Sequence, residues 1–196
     1  MMPSPDRRFR ARSVPCFTAQ AARRKMPVAT VRLVLEDLFE ANGRYVQQFS
    51  LAGLASRASA GVAVLTCIDT RIEPLSMLGL RPGDAKILRN AGARVTPDAV
   101  RSLALATYLL GVSEIAVIQH TDCALGGRSD AEISDRLAEA GFAGEEAEWL
   151  AMPDPEAALH SDVQALRASP LLARGTRVEG WRYDVRDGSI VRIVTS

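Results

Sequence analysis

Nowhere in the 196 residues does an apolar run approach the ~18–20 needed for a membrane-spanning helix. The N-terminal segment carries no apolar core of the kind a secretory signal needs, which argues against export by that route. Cysteine is scarce: Cys16, Cys67 and Cys123 are an odd number. Together these point to reduced thiols, not a disulfide framework, and to the cytoplasm. Net charge is also nearly absent, at +1, but unevenly so. Residues 1–25 hold seven basic residues and one acid, which leaves 17 basic and 22 acidic residues beyond them, a net −5. An acidic body speaks against nucleic-acid binding. There is no internal repeat, and no low-complexity tract beyond the Arg/Ala/Pro-rich head.

That head, residues 1–27, is read apart from the rest. Its arginines suit a targeting segment or a disordered arm, and Met26 would serve as an alternative start. The favoured reading is a disordered or misassigned head, with Cys16 incidental. Residues 28–196 are read as one domain, a length that supports a real core.

Along that domain, helical spacing of Val31, Val34, Leu35, Leu38, Phe39, Tyr45 and Phe49 predicts two helices over 28–58, broken at Gly43. Three short apolar runs then read as buried strands: 62–66, 86–88 and 115–118. Between them lie a short helix at 74–80, opened by Pro74, and a longer one from Pro97-Asp98 to about Leu110, ended by Gly111. Further helices are expected at 130–140 and from Asp154-Pro155 to about Arg167. Residues 176–194 read as two strands around Asp187-Gly188. Wholly apolar strands alternating with helices predict an α/β fold: a central, mostly parallel sheet flanked by helices, with an antiparallel hairpin at its C-terminal edge.

Chemistry collects at the carboxyl ends of parallel strands, and two such ends carry metal-ligand side chains. Cys67 follows the first apolar run, within Thr66-Cys67-Ile68-Asp69-Thr70-Arg71. His120 and Cys123 follow the third, within His120-Thr121-Asp122-Cys123. Two thiolates and an imidazole are zinc ligand types, and a three-ligand set leaves one position open, as catalytic sites do. Taken singly, a cysteine at a strand end is more often a buried core residue than a ligand, and a lone His-x-x-Cys is a weak signal. Two half-sites at two strand ends are the stronger signal.

Cys67-x-Asp69-x-Arg71, then Arg89-Asn90-Ala91-Gly92, then His120-x-x-Cys123 resembles the β-class carbonic anhydrases, in particular their compact bacterial subgroup. The resemblance covers roughly residues 35–195. It implies one Zn2+ per chain on Cys67, His120 and Cys123, and an Asp69–Arg71 dyad in which the guanidinium holds the carboxylate off the metal. Asp69 can serve as a fourth ligand in a closed state. Asn90 and Gly92 are expected behind the ligands, Asn90 tying loops and Gly92 allowing a close backbone approach; Arg89 reads nearly as well as an ordinary strand-end residue. The implied function is a zinc lyase activity, reversible hydration of carbon dioxide to bicarbonate and a proton by a zinc-bound hydroxide. The implied assembly is a homodimer or higher homo-oligomer, with Leu35, Leu38 and Phe39 as contact residues. No nucleic acid or membrane partner is expected.

Relatives of this fold also hydrolyse carbonyl sulfide or carbon disulfide, a non-catalytic zinc protein would keep the site closed with Asp69, and a redox protein would use Cys67 and Cys123 as a dithiol. One departure stands out. The family usually has glycine after His-x-x-Cys, where this chain has Ala124. If that position needs a positive φ, alanine costs about 1 kcal/mol or more.

Overall fold

The computed structural model describes residues 34–144 and 147–195. It divides into two units, one ending at Phe49 and one spanning Ser50–Ser196. The head, with Cys16, and Val31 of the first expected helix lie outside the described residues.

In the first unit a single helix, α1 (Leu35–Val46), runs straight through Gly43. The break expected there does not occur. A glycine inside a helix costs only about 1 kcal/mol against alanine, too little to interrupt one whose neighbours favour it. The second expected helix is likewise not formed: residues 47–61 are turns and irregular chain. The Val34 N–H donates to Asp37 Oδ2 at 2.8 Å, capping the helix start.

The second unit is built on a five-stranded sheet. Its strands are β1 (Val62–Cys67), β2 (Ala85–Asn90), β3 (Glu114–His120), β4 (Arg177–Tyr183) and β5 (Ile190–Val194), in the order β2-β1-β3-β4-β5. All neighbours are parallel except β4 and β5. The crossovers hold α2 (Pro74–Met77), α3 (Pro97–Leu109), α4 (Asp130–Glu139) and α5 (Pro155–Ala168). α2 is shorter than expected because Gly79 already turns left-handed, at φ 67°. α3 and α5 start on the prolines read from sequence, and α5 on its Asp154 cap, which accepts from the N–H groups of Glu156 and Ala157; the structure adds a cap on α3, Thr96 accepting from the Ala99 N–H.

Alternate residues of the strands feed two apolar clusters. Ala63, Leu65, Ile115, Val117 and Val178 join Leu103 of α3 and Leu159, Val163 and Leu166 of α5. Val64, Ala116 and Ile118 face the other way, with Met77, Leu78, Trp181 and Tyr183. Burying strands on both faces is why they read as continuous apolar runs. α5 lies unusually close to β4: a Cβ on Gly180 would stand 2.9 Å from both Leu159 Cγ and Val163 Cγ2, so only glycine fits.

This topology positions the site. The chain adds β2 on one side of β1 and β3 on the other, so the carboxyl ends of β1 and β3 border a topological switch point, where α/β sheets open a crevice. With Thr66 opposite Ile118 in register, Cys67 closes β1 and His120 closes β3 on the same edge.

Candidate metal centre

Three donor atoms meet at that edge. One ligand atom each from Cys67, His120 and Cys123 lies within 4.8 Å of the others, and all three residues are buried. The turn after β3 folds Cys123 back beside His120, with the Gly126 N–H donating to the Cys123 carbonyl at 3.0 Å.

The imidazole is oriented from behind. His120 Nδ1 lies 2.9 Å from the Thr121 carbonyl oxygen. A carbonyl only accepts, so Nδ1 carries the proton and Nε2 keeps its lone pair. Nε2 is buried and has no hydrogen-bond partner among the described residues. A buried polar atom in that condition calls for a ligand, and a soft divalent metal fits a set of one imidazole and two sulfurs.

The sulfurs are prepared for the same role. The Gly92 N–H donates to Cys67 Sγ at 3.3 Å. Cys67 is pulled down to about 4, first by its hydrogen bond with Cys123 and also by His120 and backbone N–H groups, with burial opposing. Its thiolate in turn pushes Cys123 up, burial adding to the effect. A dication bound by these two sulfurs would displace their protons. Burial is the largest influence on His120 and disfavours its charge, yet Cys67 and the Thr121 carbonyl together outweigh it and raise its pKa.

Asp69 and Arg71 form a fork beside this cluster. Arg71 Nε donates to Asp69 Oδ1 at 3.0 Å and Nη2 to Oδ2 at 2.8 Å, and the Arg71 backbone N–H adds a third bond at 2.9 Å. These bonds hold the Asp69 carboxyl far below the usual carboxylate range. Asn90 and Gly92 belong to the turn beside Cys67. The Asn90 amide receives the Arg94 N–H at 2.8 Å and donates to the Arg94 carbonyl at 2.7 Å, clasping the 3-10 turn Ala91–Ala93. Gly92 sits at φ 75°, where a Cβ would press on Leu125 Cδ1 at 3.1 Å and Met152 Cε at 3.3 Å. Arg89, an even choice in the sequence, donates to the carbonyls of Cys67 at 2.9 Å and Asp69 at 2.7 Å, fixing the backbone between ligand and dyad.

The turn does not strain Ala124. The left-handed residues there are Asp122, at φ 56°, and Gly127, at 69°; Ala124 is not among the residues with positive φ. The alanine for glycine exchange thus carries no backbone penalty in this loop.

Several contributors were not singled out from sequence. Asp122 accepts from Arg71 Nη1 at 2.6 Å. Arg94 makes a buried ion pair with Asp162 of α5 at 2.7 Å, and its other arm donates to the Leu150 carbonyl. Met152, 1% exposed, packs with Cys67, Cys123 and Ile72. Its segment is stitched to the ligand loop by Met152 N–H to the Leu125 carbonyl and Gly127 N–H to the Met152 carbonyl. Asp122 was visible as a letter of the His-Thr-Asp-Cys motif. The Arg94–Asp162 pair spans 68 positions and leaves no mark in local pattern. On the solvent side, His120, Asp122 and Cys123 border a cleft of about 720 Å³ whose walls include Arg128, Glu156, Arg182 and Arg186.

Comparison with known proteins agrees with this geometry. Residues 62–190 match the carbonic anhydrase family model. β-Carbonic anhydrase 1 of Mycobacterium tuberculosis is 30% identical over 159 residues, 80% of this chain and 96% of that protein. The carbon disulfide hydrolase of Acidianus sp. strain A1-3 is 32% identical over 146 residues, 62% of this chain and 72% of that one. Among solved structures, the carbonic anhydrase of Streptococcus mutans superposes with a TM-score of 0.75 at 35% identity, covering 83% of this chain and 99% of that one. With the sheet, the switch-point site and the Cys–His–Cys donor set in agreement, the chain belongs to the β-carbonic anhydrase family of zinc enzymes.

Proposed function

We propose that this protein catalyses the reversible hydration of carbon dioxide to bicarbonate and a proton, with one zinc held by Cys67, His120 and Cys123. The observation that carries the reading is the pairing of a three-donor cluster with a carboxylate, Asp69, tied by both oxygens to Arg71. Zinc, when bound, makes hydroxide accessible near neutral pH, as is established for the carbonic anhydrases with three histidine ligands.

Each side chain has a defined task. Cys67 and Cys123 supply negative charge and His120 its free Nε2. Arg71, bonded to both Asp69 oxygens, keeps that carboxylate from joining the three metal donors. Asp69, ionised throughout the neutral range because of that pairing, would accept a hydrogen bond from the attacking oxygen and orient it towards the substrate carbon. Asn90 and Gly92 fix the turn whose N–H steadies the Cys67 sulfur. Ile72, Leu125 and Met152 pack around the two cysteines and give an apolar setting suited to an uncharged linear molecule. The buried free thiols suit a reducing compartment, the cytoplasm. Leu35, Leu38 and Phe39, all exposed on α1, are the proposed contacts of a homodimer.

A second reading is hydrolysis of carbon disulfide, favoured by the relative of that name at 32% identity. It uses the same residues on another linear molecule. Metal analysis with parallel assays of carbon dioxide hydration and carbon disulfide hydrolysis tests both. The expected result is one zinc per chain and hydration as the faster reaction, with Cys67→Ser and Cys123→Ser each losing the metal. Faster turnover of carbon disulfide would reverse the substrate assignment, and full zinc in either serine variant would overturn the ligand set.

A further inference from the structure

We propose that Asp122 is a positioning residue, an anchor that fixes the Arg71 guanidinium so that its other edge stays aimed at Asp69 and the site stays open. The inference rests on the dyad reading above and extends it to a residue with no role so far.

Arg71 is held from two sides. Its Nε and Nη2 address Asp69. Its Nη1 donates to Asp122 Oδ2 at 2.6 Å, and Nη2 has a second bond, to the Asp122 carbonyl at 3.0 Å. Four of the five guanidinium protons are therefore engaged, two on each side. A flexible arginine bound to Asp69 alone could follow that carboxylate or swing into solvent. Bound also to Asp122, it keeps its place whether or not Asp69 leaves, and remains available to recapture it.

The placement of Asp122 suits an anchor. It lies between His120 and Cys123, so the loop that carries two ligand atoms also fixes the guanidinium. Its backbone is left-handed, at φ 56°, a region that aspartate and asparagine tolerate better than most residues. That conformation accompanies a side chain and a carbonyl that both face Arg71. A carboxylate serving only as surface charge would not need both.

The test uses zinc-loaded and cobalt-substituted protein with Asp122→Gly, Asp122→Asn and Arg71→Ala. Glycine removes the carboxylate without adding left-handed strain, and asparagine keeps an oxygen acceptor for Nη1. Azide binding to the cobalt form, followed in the visible spectrum, reports whether the fourth position is free of Asp69. Asp122→Gly is expected to weaken azide binding and slow hydration by about two- to fivefold, the range for an exposed ion pair, with metal content retained; Asp122→Asn is expected to recover most of the loss. Parent-like or tighter azide binding in Asp122→Gly, with Arg71→Ala impaired, would overturn the anchor while leaving the dyad intact. Parent-like azide binding in Arg71→Ala would sink the dyad reading itself. A thermal shift in Asp122→Gly without change in azide affinity marks a merely structural role and counts against the anchor.

Discussion

Gly92 shows how one residue serves both backbone and metal site. Its φ of 75° lies where a side chain is strained, and its missing Cβ leaves room for Leu125 and Met152. Its N–H bonds to the Cys67 sulfur. Gly92→Ala is therefore expected to cost about 1–2 kcal/mol from the left-handed backbone alone, and to weaken zinc retention as the N–H is displaced. Chemical denaturation and chelator competition measure the two separately, and unchanged zinc retention would disconnect this turn from the sulfur. Residue identity made the donor set legible: Cys67, His120 and Cys123 are scarce residue types placed at strand ends. Asp122 was less legible, because an exposed aspartate in a turn is ordinary until Arg71, fifty-one positions away, is seen to reach it.

At the scale of elements, periodicity found all five strands and the helices α3, α4 and α5, because each has a buried face or a terminal cap that leaves a local signature. It failed over 34–58, where a single glycine has too little breaking power to end the helix. Residues 147–153 have no repeating pattern and form no helix or strand; individual bonds hold them. Asp130 accepts the backbone N–H groups of Trp149 and Ala151, and Trp149 Nε1 donates to Ser134. Arg94 completes the arrangement, joining the 3-10 turn, Leu150 and α5 through Asp162. Both side chains of that pair are largely buried, at 14% and 8% exposure. Asp162→Ala leaves a buried guanidinium without its partner and is expected to cost about 3–5 kcal/mol. Urea denaturation checks this, and a loss below about 1 kcal/mol would make the pair no better than a surface one.

The whole molecule carries several carboxylates held below their ordinary range. Asp184 is held by hydrogen bonds from the Arg186 side chain and backbone. Asp84 is held by the Arg81 N–H and Ser59, and Glu179 by Trp181 with Arg192 and Arg177. A group whose folded pKa is depressed adds stability above its unfolded value, near 4, and loses it as pH falls through the folded value. Melting temperature is thus expected to hold from neutral pH to about 5 and to fall progressively below about 4. Asp184→Asn is expected to flatten the acid limb, and an unchanged limb would remove Asp184 from the set.

Assembly is the last property of the whole. α1 has no buried residue, yet it is strongly amphipathic, with acids Glu36 and Asp37 in its first turn and Arg44 in its last. Leu35 is 84% and Phe39 76% exposed. A helix of 12 residues is marginal in water on propensity alone and draws its stability from packing an apolar face. A second copy of this chain is the proposed partner, and burying side chains of this size contributes about 1.5–3 kcal/mol each. The full chain is therefore expected to sediment as a dimer or larger at low micromolar concentration. Leu35→Glu with Phe39→Glu is expected to shift it towards monomer while leaving the fold of residues 50–195 in place. Analytical ultracentrifugation with circular dichroism tests this directly. An active parent protein that sediments as a monomer would refute the assembly, and a double variant that stays dimeric would move the interface away from α1.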